Sequence, residues 1–235
     1  LLGHFEEREG FIEFLLNVAS SAPDLDLAPL YRLDGQLDLD ERIEANWTGF
    51  NGEGPVRVGN AAAVHRQNDV FWELVLALAP SFLDARFPEE QSKEARALLV
   101  RLGRKAMRVA GQPDASIWEL RTEWTPQTFS SLMCWAAADR VHRVVMRHEP
   151  ELAPEFSAGA SAIHEQIIER AWSPDLGVLA SSYGGRQLDA SLLQAAPLRF
   201  FRPDDEKGLS TVAAIQRDLS HGGWLHRYAT DDGFG

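Results

Sequence analysis

The segment around Trp118 and Glu119 holds the side chains best suited to chemistry. Glu119 directly follows an indole ring, and a guanidinium, Arg121, stands two residues further on. Gly111 and Pro113 precede the segment and interrupt the helical pattern. A carboxyl held against an aromatic ring loses hydration, which disfavours its ionised form and raises its pKa. Such an acid can donate its proton to a glycosidic oxygen near neutral pH, and the Trp ring can cover a sugar face. The alternative is a capped, salt-bridged surface cluster without a catalytic role.

Most of the chain has the periodicity of amphipathic helices, with apolar residues recurring at three- and four-residue spacing. Helices are predicted over residues 4–19, 61–79, 92–109, 126–147, 151–172 and 206–219, and extended pieces over 177–183 and 223–230. The loop-rich segments 20–58 and 173–203 separate helices rather than domains. The sequence therefore predicts an all-α chain, organised as one domain over residues 1–235.

The predicted helix 61–79 differs from its neighbours because apolar side chains cover every side of its second half, which predicts burial all round. Five polar residues nevertheless lie in or near its first half: Arg66, Gln67, Asn68, Asp69 and Glu73. Buried polar groups need partners. An inner helix with one end opening on a polar pocket would satisfy both facts. The alternative is a helix end whose polar side chains reach solvent.

Composition narrows the classes of partner. The net charge of −12 repels phosphate backbones and anionic membranes, so neither a nucleic acid nor a membrane is an expected partner. Cys134 is the single cysteine, which rules out an intramolecular disulfide and predicts a cytoplasmic location. Its apolar surroundings predict a buried structural thiol. The histidines show no metal-ligand spacing, so we expect no metal and no other cofactor.

Several motifs occur in a fixed order along the chain. They are Gly-Asn-Ala-Ala-Ala (59–63), Gln-Asn-Asp (67–69), Ile-Trp-Glu-Leu-Arg (117–121), the helix segment 129–136, Leu-Asp-Ala-Ser-Leu-Leu (188–193) and Arg-Tyr-Ala-Thr-Asp-Asp-Gly (227–233). Together they resemble glycoside hydrolase family 15, which contains the glucoamylases and related bacterial trehalases, over residues 3–235. The resemblance implies part of an (α/α)6 barrel, incomplete at both ends.

The resemblance also implies roles for single residues. Glu119 matches the general acid of the family, and Trp118 resembles the wall of the adjoining subsite. Arg227 matches an arginine that donates hydrogen bonds to hydroxyls of the terminal glucose. The remaining matched residues would line or support the pocket: Asn60, Gln67, Asp69, Arg121 and Asp189. For Asp189, fixing a loop is an equal alternative to contacting substrate.

The chain departs from the family pattern in three places. An arginine- and aspartate-bearing region of the family would precede Leu1, and its general base, a glutamate, would lie beyond Gly235. Residues 122–128 differ from the usual glycine-rich loop. We therefore expect the central part of an inverting, exo-acting α-glucosidase of glucoamylase type, without its general base. Its substrates would be α-glucans or maltooligosaccharides. The alternatives are a trehalase acting on trehalose, and a helical binding scaffold without catalysis.

Overall fold

The computed structural model of the chain describes residues 5–84, 93–119 and 123–229. The α-helices of this part run over Phe5–Ser21 (α1), Val70–Leu78 (α2), Pro80–Leu83 (α3), Lys93–Val109 (α4), Thr128–His148 (α5), Ala153–Ala171 (α6), Ala195–Leu198 (α7) and Glu206–Leu219 (α8). The strands are Arg42–Ile43 (β1), Arg57–Val58 (β2), Pro113–Asp114 (β3), Thr125–Pro126 (β4), Trp172–Ser173 (β5), Val178–Leu179 (β6), Ser220–His221 (β7) and Trp224–Leu225 (β8). The strands form antiparallel pairs: β1 with β2, β3 with β4, β5 with β6, and β7 with β8. In the described residues no sheet exceeds two strands. The predicted all-α class is confirmed.

Helix α5 forms the centre of the core and packs against α2, α4 and α6. Every residue from 128 to 138 is buried, so the first half of this helix has no face in water. Small side chains such as Ser130, Ser131 and Ala137 alternate with large ones such as Phe129 and Leu132. This mixture lets neighbouring helices approach α5 closely on all sides, as expected for an inner helix.

Helix α4 shows how the outer helices reach α5. Its apolar side is fully buried at Leu99 and Leu102, and its opposite side carries arginines. Gly103 lies where α4 meets both α5 and α6. A Cβ atom at this position would lie 2.7 Å from the Phe156 ring and 2.9 Å from a methyl of Val141. The absent side chain therefore permits the close three-helix contact that orients α5.

The predicted helix 61–79 is wrong in its first half. Residues 61–64 form a short 3₁₀ turn, His65 is extended, and α2 begins only at Val70. The Asn60 side chain caps the turn by accepting the Ala62 N–H at 2.9 Å. Residues 66–68 are held by hydrogen bonds to other segments of the chain rather than by the hydrogen bonds of a helix. The Asn60 cap thus fixes a short 3₁₀ turn, and hydrogen bonds to other segments hold the residues that follow it. Helix α2 therefore begins at Val70 rather than at residue 61.

The predicted burial of this helix on all sides is also wrong. Glu73 is exposed and Leu76 is 50 % exposed, although Phe71, Val75 and Leu78 lie in the core. The exposed side lines a cavity, which explains why an apolar residue such as Leu76 faces outward from the core. Helix α2 thus separates the core from the site described next.

Candidate active site

The Trp118 loop, whose described residues are 115–119 and 123–124, connects β3 to β4 and carries Trp118 and Glu119. Strands β3 and β4 pair at its two ends, with Asp114 opposite Thr125. Glu119 is half-buried, and its backbone N–H donates to the carbonyl of Ser116 at 3.1 Å. Both Ser116 and Glu119 have left-handed backbone angles, with φ of 57° and 55°. Non-glycine residues adopt this region at a cost, so the surrounding structure must hold the turn. Arg121 lies outside the described residues.

The indole ring of Trp118 is fixed from two sides. Its Nε1–H donates to Oδ1 of Asp189 at 2.9 Å, and the same oxygen accepts the Ser191 N–H at 2.8 Å. The guanidinium of Arg227 lies 5.6 Å from the centre of the Trp118 ring and 5.2 Å from that of Tyr228, within the range of a cation–π interaction. Trp118, Asp189 and Arg227, three residues predicted from the sequence, are therefore in contact.

Asp189 is 4 % exposed, and burial raises the pKa of its carboxyl above the ordinary value, against the hydrogen bonds from Ser191 and Trp118. The same residue caps the 3₁₀ turn Ala190–Gln194. The Ala190 N–H in turn donates to the carbonyl of Arg227 at 2.9 Å. The geometry thus supports the alternative interpretation of Asp189, in which its carboxyl fixes a loop and an aromatic wall.

A cavity of about 770 Å³ lies beside Trp118 and Arg227. Its volume is within the roughly 300–1,000 Å³ typical of small-molecule sites. Helices α2 and α5 supply one side of it, and the Trp118 loop and the segments near Asp189 and Arg227 supply the other. Its walls are Phe11, Trp72, Glu73, Leu76, Ala77, Ile117, Trp118, Phe129, Met133, Ala190, Ser191, Gln194, Leu225 and Arg227. Glu119 follows Trp118 directly but is not one of these wall residues.

Two buried carboxyls lie where the Trp118 loop meets α2. Asp69 is 3 % exposed and Asp114 is fully buried. Burial raises the pKa of Asp69 to about 7, and the carboxyls of Asp114 and Glu73 act in the same direction, whereas a backbone hydrogen bond opposes the shift. Burial also raises the pKa of Asp114 to about 6, against hydrogen bonds from Ser130 and Asn68. At neutral pH, the carboxyl of Asp69 is therefore protonated in about half of the molecules, whereas that of Asp114 is mainly ionised.

The other predicted site residues divide into two groups. Gln67 belongs with the carboxyls: it is 8 % exposed, and its Nε2 has no hydrogen-bond partner among the described residues. Oδ1 of Asp69 lacks a partner in the same part of the structure. Asn60 instead uses its side-chain oxygen to cap the turn at 61–64. Its position beside substrate stays a prediction.

Sequence reasoning missed Asp114 and Tyr228 as parts of this region. Asp114 was visible as a carboxylate between Pro113 and the Trp118 loop, but nothing in its spacing revealed that it is buried. Tyr228 adjoins Arg227, and its ring meets Trp118 edge-on at 6.2 Å between centroids. Glu73, one of the polar residues predicted near the start of helix 61–79, lines the cavity, and the loss of hydration there raises the pKa of its carboxyl.

The remaining predictions concern the single cysteine, a membrane, a metal ion and the location of the protein. Cys134 is a free, buried thiol whose Sγ–H donates to the Asn68 carbonyl at 3.4 Å, as expected of a structural cysteine. In residues 5–84, 93–119 and 123–229, no helix combines the length and apolarity needed to cross a membrane. The same residues contain no group of three or more His, Cys, Asp or Glu side chains that could hold a metal ion. The cytoplasmic location stays a prediction.

The chain is similar in sequence to proteins that are named trehalase. A trehalase from Mycobacterium tuberculosis is 34 % identical over 239 residues, covering 99 % of this chain and 34 % of the relative. A trehalase from Thermoplasma volcanium is 29 % identical, covering 99 % of this chain and 37 % of the relative. The chain thus spans about a third of the length of these relatives.

Solved structures agree on the fold. A wild-type glycosidase superposes with a TM-score of 0.67 at 17 % identity, covering 96 % of this chain and 55 % of the other. The (α/α)6 glycosidase class that the resemblance implied is therefore confirmed. The sequence model of glycosyl hydrolases family 15 matches residues 1–234. Since this match covers nearly every residue, the chain belongs to glycosyl hydrolase family 15.

Proposed function

We propose that the protein containing these residues is a trehalase, which hydrolyses the α,α-1,1 bond of trehalose by a single displacement with inversion. Glu119 is its general acid and donates a proton to the glycosidic oxygen as the leaving glucose departs. The observation that carries the proposal is the position of Glu119, directly after an indole ring that Asp189 fixes and beside which Arg227 lies.

Trehalose is favoured as the substrate by the relatives described above, which are trehalases at 34 % and 29 % identity along nearly the whole chain. The glucoamylase-type specificity expected from the sequence is not confirmed. An α-1,4-glucan therefore becomes the alternative substrate. Both substrates present an α-linked glucose to the acid, so the same chemistry serves either one.

The leaving group in trehalose hydrolysis is the anomeric hydroxyl of the second glucose. This hydroxyl is a weak acid and departs poorly as an anion, so proton transfer from Glu119 lowers the barrier. The Trp118 ring forms part of the cavity wall and offers a flat apolar surface to the C–H face of a pyranose. Arg227 is always charged and presents a planar set of donors, which suits hydrogen bonds to sugar hydroxyls.

Gln67 and Asp69 are the next candidates for contact with substrate. Each has a buried polar side-chain atom without a hydrogen-bond partner among the described residues, and a buried polar group in that state is costly. A sugar hydroxyl is both donor and acceptor, so it could satisfy either the amide of Gln67 or the carboxyl of Asp69. Asn60 and Arg121 stay in the proposal on the family resemblance alone.

The experiment compares Glu119→Gln with the unaltered protein containing residues 1–235, on trehalose and on maltose. The substitution keeps the shape of the side chain but removes the transferable proton. Trehalose turnover should fall by roughly 10²–10⁴-fold, the usual contribution of a general acid, and binding of trehalose should change little. Glucose release is the measurement.

Glu123→Gln is the matched control, because Glu123 is an exposed carboxylate of the same loop. It should retain nearly full activity. Faster hydrolysis of maltose than of trehalose by the unaltered protein would support the glucan alternative. Release of glucose from neither sugar would favour the non-catalytic scaffold and contradict the proposal, and an active Glu119→Gln variant would remove Glu119 from the acid role.

A further inference from the structure

We propose that Asp114 is a positioning residue for the general acid: its buried carboxylate anchors the loop that carries Glu119 to the two helices beneath it. The inference rests on the proposed function, in which Glu119 protonates the leaving group. Asp114 does not itself contact the substrate in this account. It acts through the path of the backbone between β3 and Glu119.

One oxygen of Asp114 joins three separate parts of the chain. Oδ2 accepts the backbone N–H of Asn68 at 2.8 Å and the Oγ–H of Ser130 at 2.6 Å. Asn68 belongs to the segment that leads into α2, and Ser130 lies in the first turn of α5. Asp114 itself ends β3, where the Trp118 loop, here called the acid loop because it carries Glu119, begins. All three residues are buried, so water does not compete for these bonds.

Two further hydrogen bonds join the residues beside Asp114 to the segment that leads into α2. The Ala115 N–H donates to the carbonyl of Arg66 at 2.9 Å, and Nδ2–H of Asn68 donates to the carbonyl of Gln112 at 3.3 Å. Residues on both sides of Asp114 are therefore bonded to the same stretch, 66–68. These bonds join the base of the acid loop to the residues that lead into α2.

The turn above the anchor explains why such a fixed base is needed. Ser116 and Glu119 are non-glycine residues with φ of 57° and 55°, a region that L-residues leave readily when nothing holds them. Glu119 is five residues from Asp114. A relaxed base would let the turn adopt ordinary angles, and the carboxyl of Glu119 would then point elsewhere.

The burial of Asp114 argues for a purpose beyond packing. Burial raises the pKa of this carboxyl to about 6, and Oδ1 has no hydrogen-bond partner among the described residues. An apolar side chain would avoid both costs. What a carboxyl adds here is an oxygen that accepts bonds from two different elements at once.

The test uses the dependence of rate on the leaving group. Trehalose needs a proton from the acid, whereas the fluoride of α-D-glucosyl fluoride departs with little help from one. A misplacement of about 1 Å at a reacting group costs on the order of 10²-fold in rate. For Asp114→Ala we therefore expect kcat on trehalose to fall about 10–100-fold, while kcat on glucosyl fluoride changes less than about 3-fold.

Two further variants make the comparison robust. Asp114→Asn keeps one acceptor oxygen and nearly the same volume, so it should restore most of the trehalose activity and show a loss of only about 3–10-fold. Ser130→Ala removes one of the two donors and should lie between Asp114→Asn and the unaltered protein. If Asp114→Ala does not fold, Asp114→Asn carries the same comparison between the two substrates.

The outcomes separate the two proposals. An unaltered protein that cleaves neither substrate would refute the proposed function. With an active protein, a parallel loss on trehalose and glucosyl fluoride, or no selective loss on trehalose in either Asp114 variant, would overturn the positioning role and leave Asp114 as a purely structural residue. A loss confined to trehalose supports the inference.

Discussion

Replacing Asp69 by Asn should stabilise the protein above neutral pH and weaken the dependence of its stability on pH. Asp69 is 3 % exposed, and burial is the main cause that raises the pKa of its carboxyl to about 7. An amide has the same shape and carries no charge at any pH of interest. The substitution therefore removes the cost of burying a carboxylate while it leaves the packing of α2 unchanged.

The sign follows from proton binding. Between about pH 4, where the unfolded carboxyl titrates, and pH 7, the folded state holds a proton that the unfolded state has released. The contribution of Asp69 to stability should therefore be greatest below pH 4, fall as the pH rises toward 7, and level off above it. Asp114 and Glu73, whose pKa values are also raised by burial, act in the same direction.

The size of the effect follows from the two pKa values. The difference between about 7 and the ordinary 3.8 corresponds to roughly 4 kcal/mol at pH 8, which is an upper bound because local rearrangement and coupling to Asp114 reduce it. For Asp69→Asn we expect a gain of about 1–3 kcal/mol at pH 8 and little change at pH 4. Asp38→Asn is the matched control, since Asp38 is exposed, and it should have almost no effect.

The assay is urea unfolding followed by circular dichroism at pH 5, 6, 7 and 8, without substrate, so that any role of Asp69 in sugar binding does not enter. The unaltered protein should lose stability over this range, and Asp69→Asn should show a flatter profile. Stability that rises from pH 5 to pH 8 in the unaltered protein would refute the reasoning. An Asp69→Asn variant less stable than the unaltered protein at pH 8 would do so as well.

Two further predictions concern the aromatic wall and the helix core. Trp118→Phe keeps a ring but removes the donor to Asp189, so KM for trehalose should rise on the order of 10-fold and the free energy of unfolding should fall by roughly 1–3 kcal/mol. Trp47→Phe is the control, because Trp47 is 69 % exposed. Equal effects at both positions would contradict the account. Gly103→Ala should cost about 1–3 kcal/mol of unfolding free energy because the new Cβ meets Phe156 and Val141. Gly10→Ala meets nothing within 4 Å and should stabilise by about 0.5–1 kcal/mol; a Gly103→Ala variant as stable as Gly10→Ala would show that the helices are not packed as described.

The helices could be predicted closely because their boundaries depend on local features. Helix α8 spans 206–219 in both the prediction and the structure, and its start is fixed by Asp205, whose carboxylate caps Lys207 and Gly208. The predicted helix 92–109 agrees with α4 over Lys93–Val109, and residue 92 lies outside the described residues. In these segments, apolar spacing and capping residues agree with the tertiary packing, so local reasoning suffices.

The contacts that build the site could not be predicted, because they join distant parts of the chain. The bond from Trp118 to Asp189 spans 71 residues, and that from Asn68 to Asp114 spans 46. The second of these also explains the wrong helix assignment for 61–69, where an apolar run continues the helical pattern but tertiary bonds hold the backbone differently. The family resemblance named Trp118, Asp189 and Arg227, yet only the structure shows that the carboxyl of Asp189 holds the ring.

The most direct test of the central claim is the anomeric form of the glucose released from trehalose. Proton NMR spectra are recorded within the first minutes, before mutarotation, on the protein containing residues 1–235. Inversion makes the attacked glucose β and leaves the departing glucose α, so the account predicts the two anomers in equal initial amounts. Initial formation of α-glucose alone would mean retention and would contradict a single displacement assisted by Glu119.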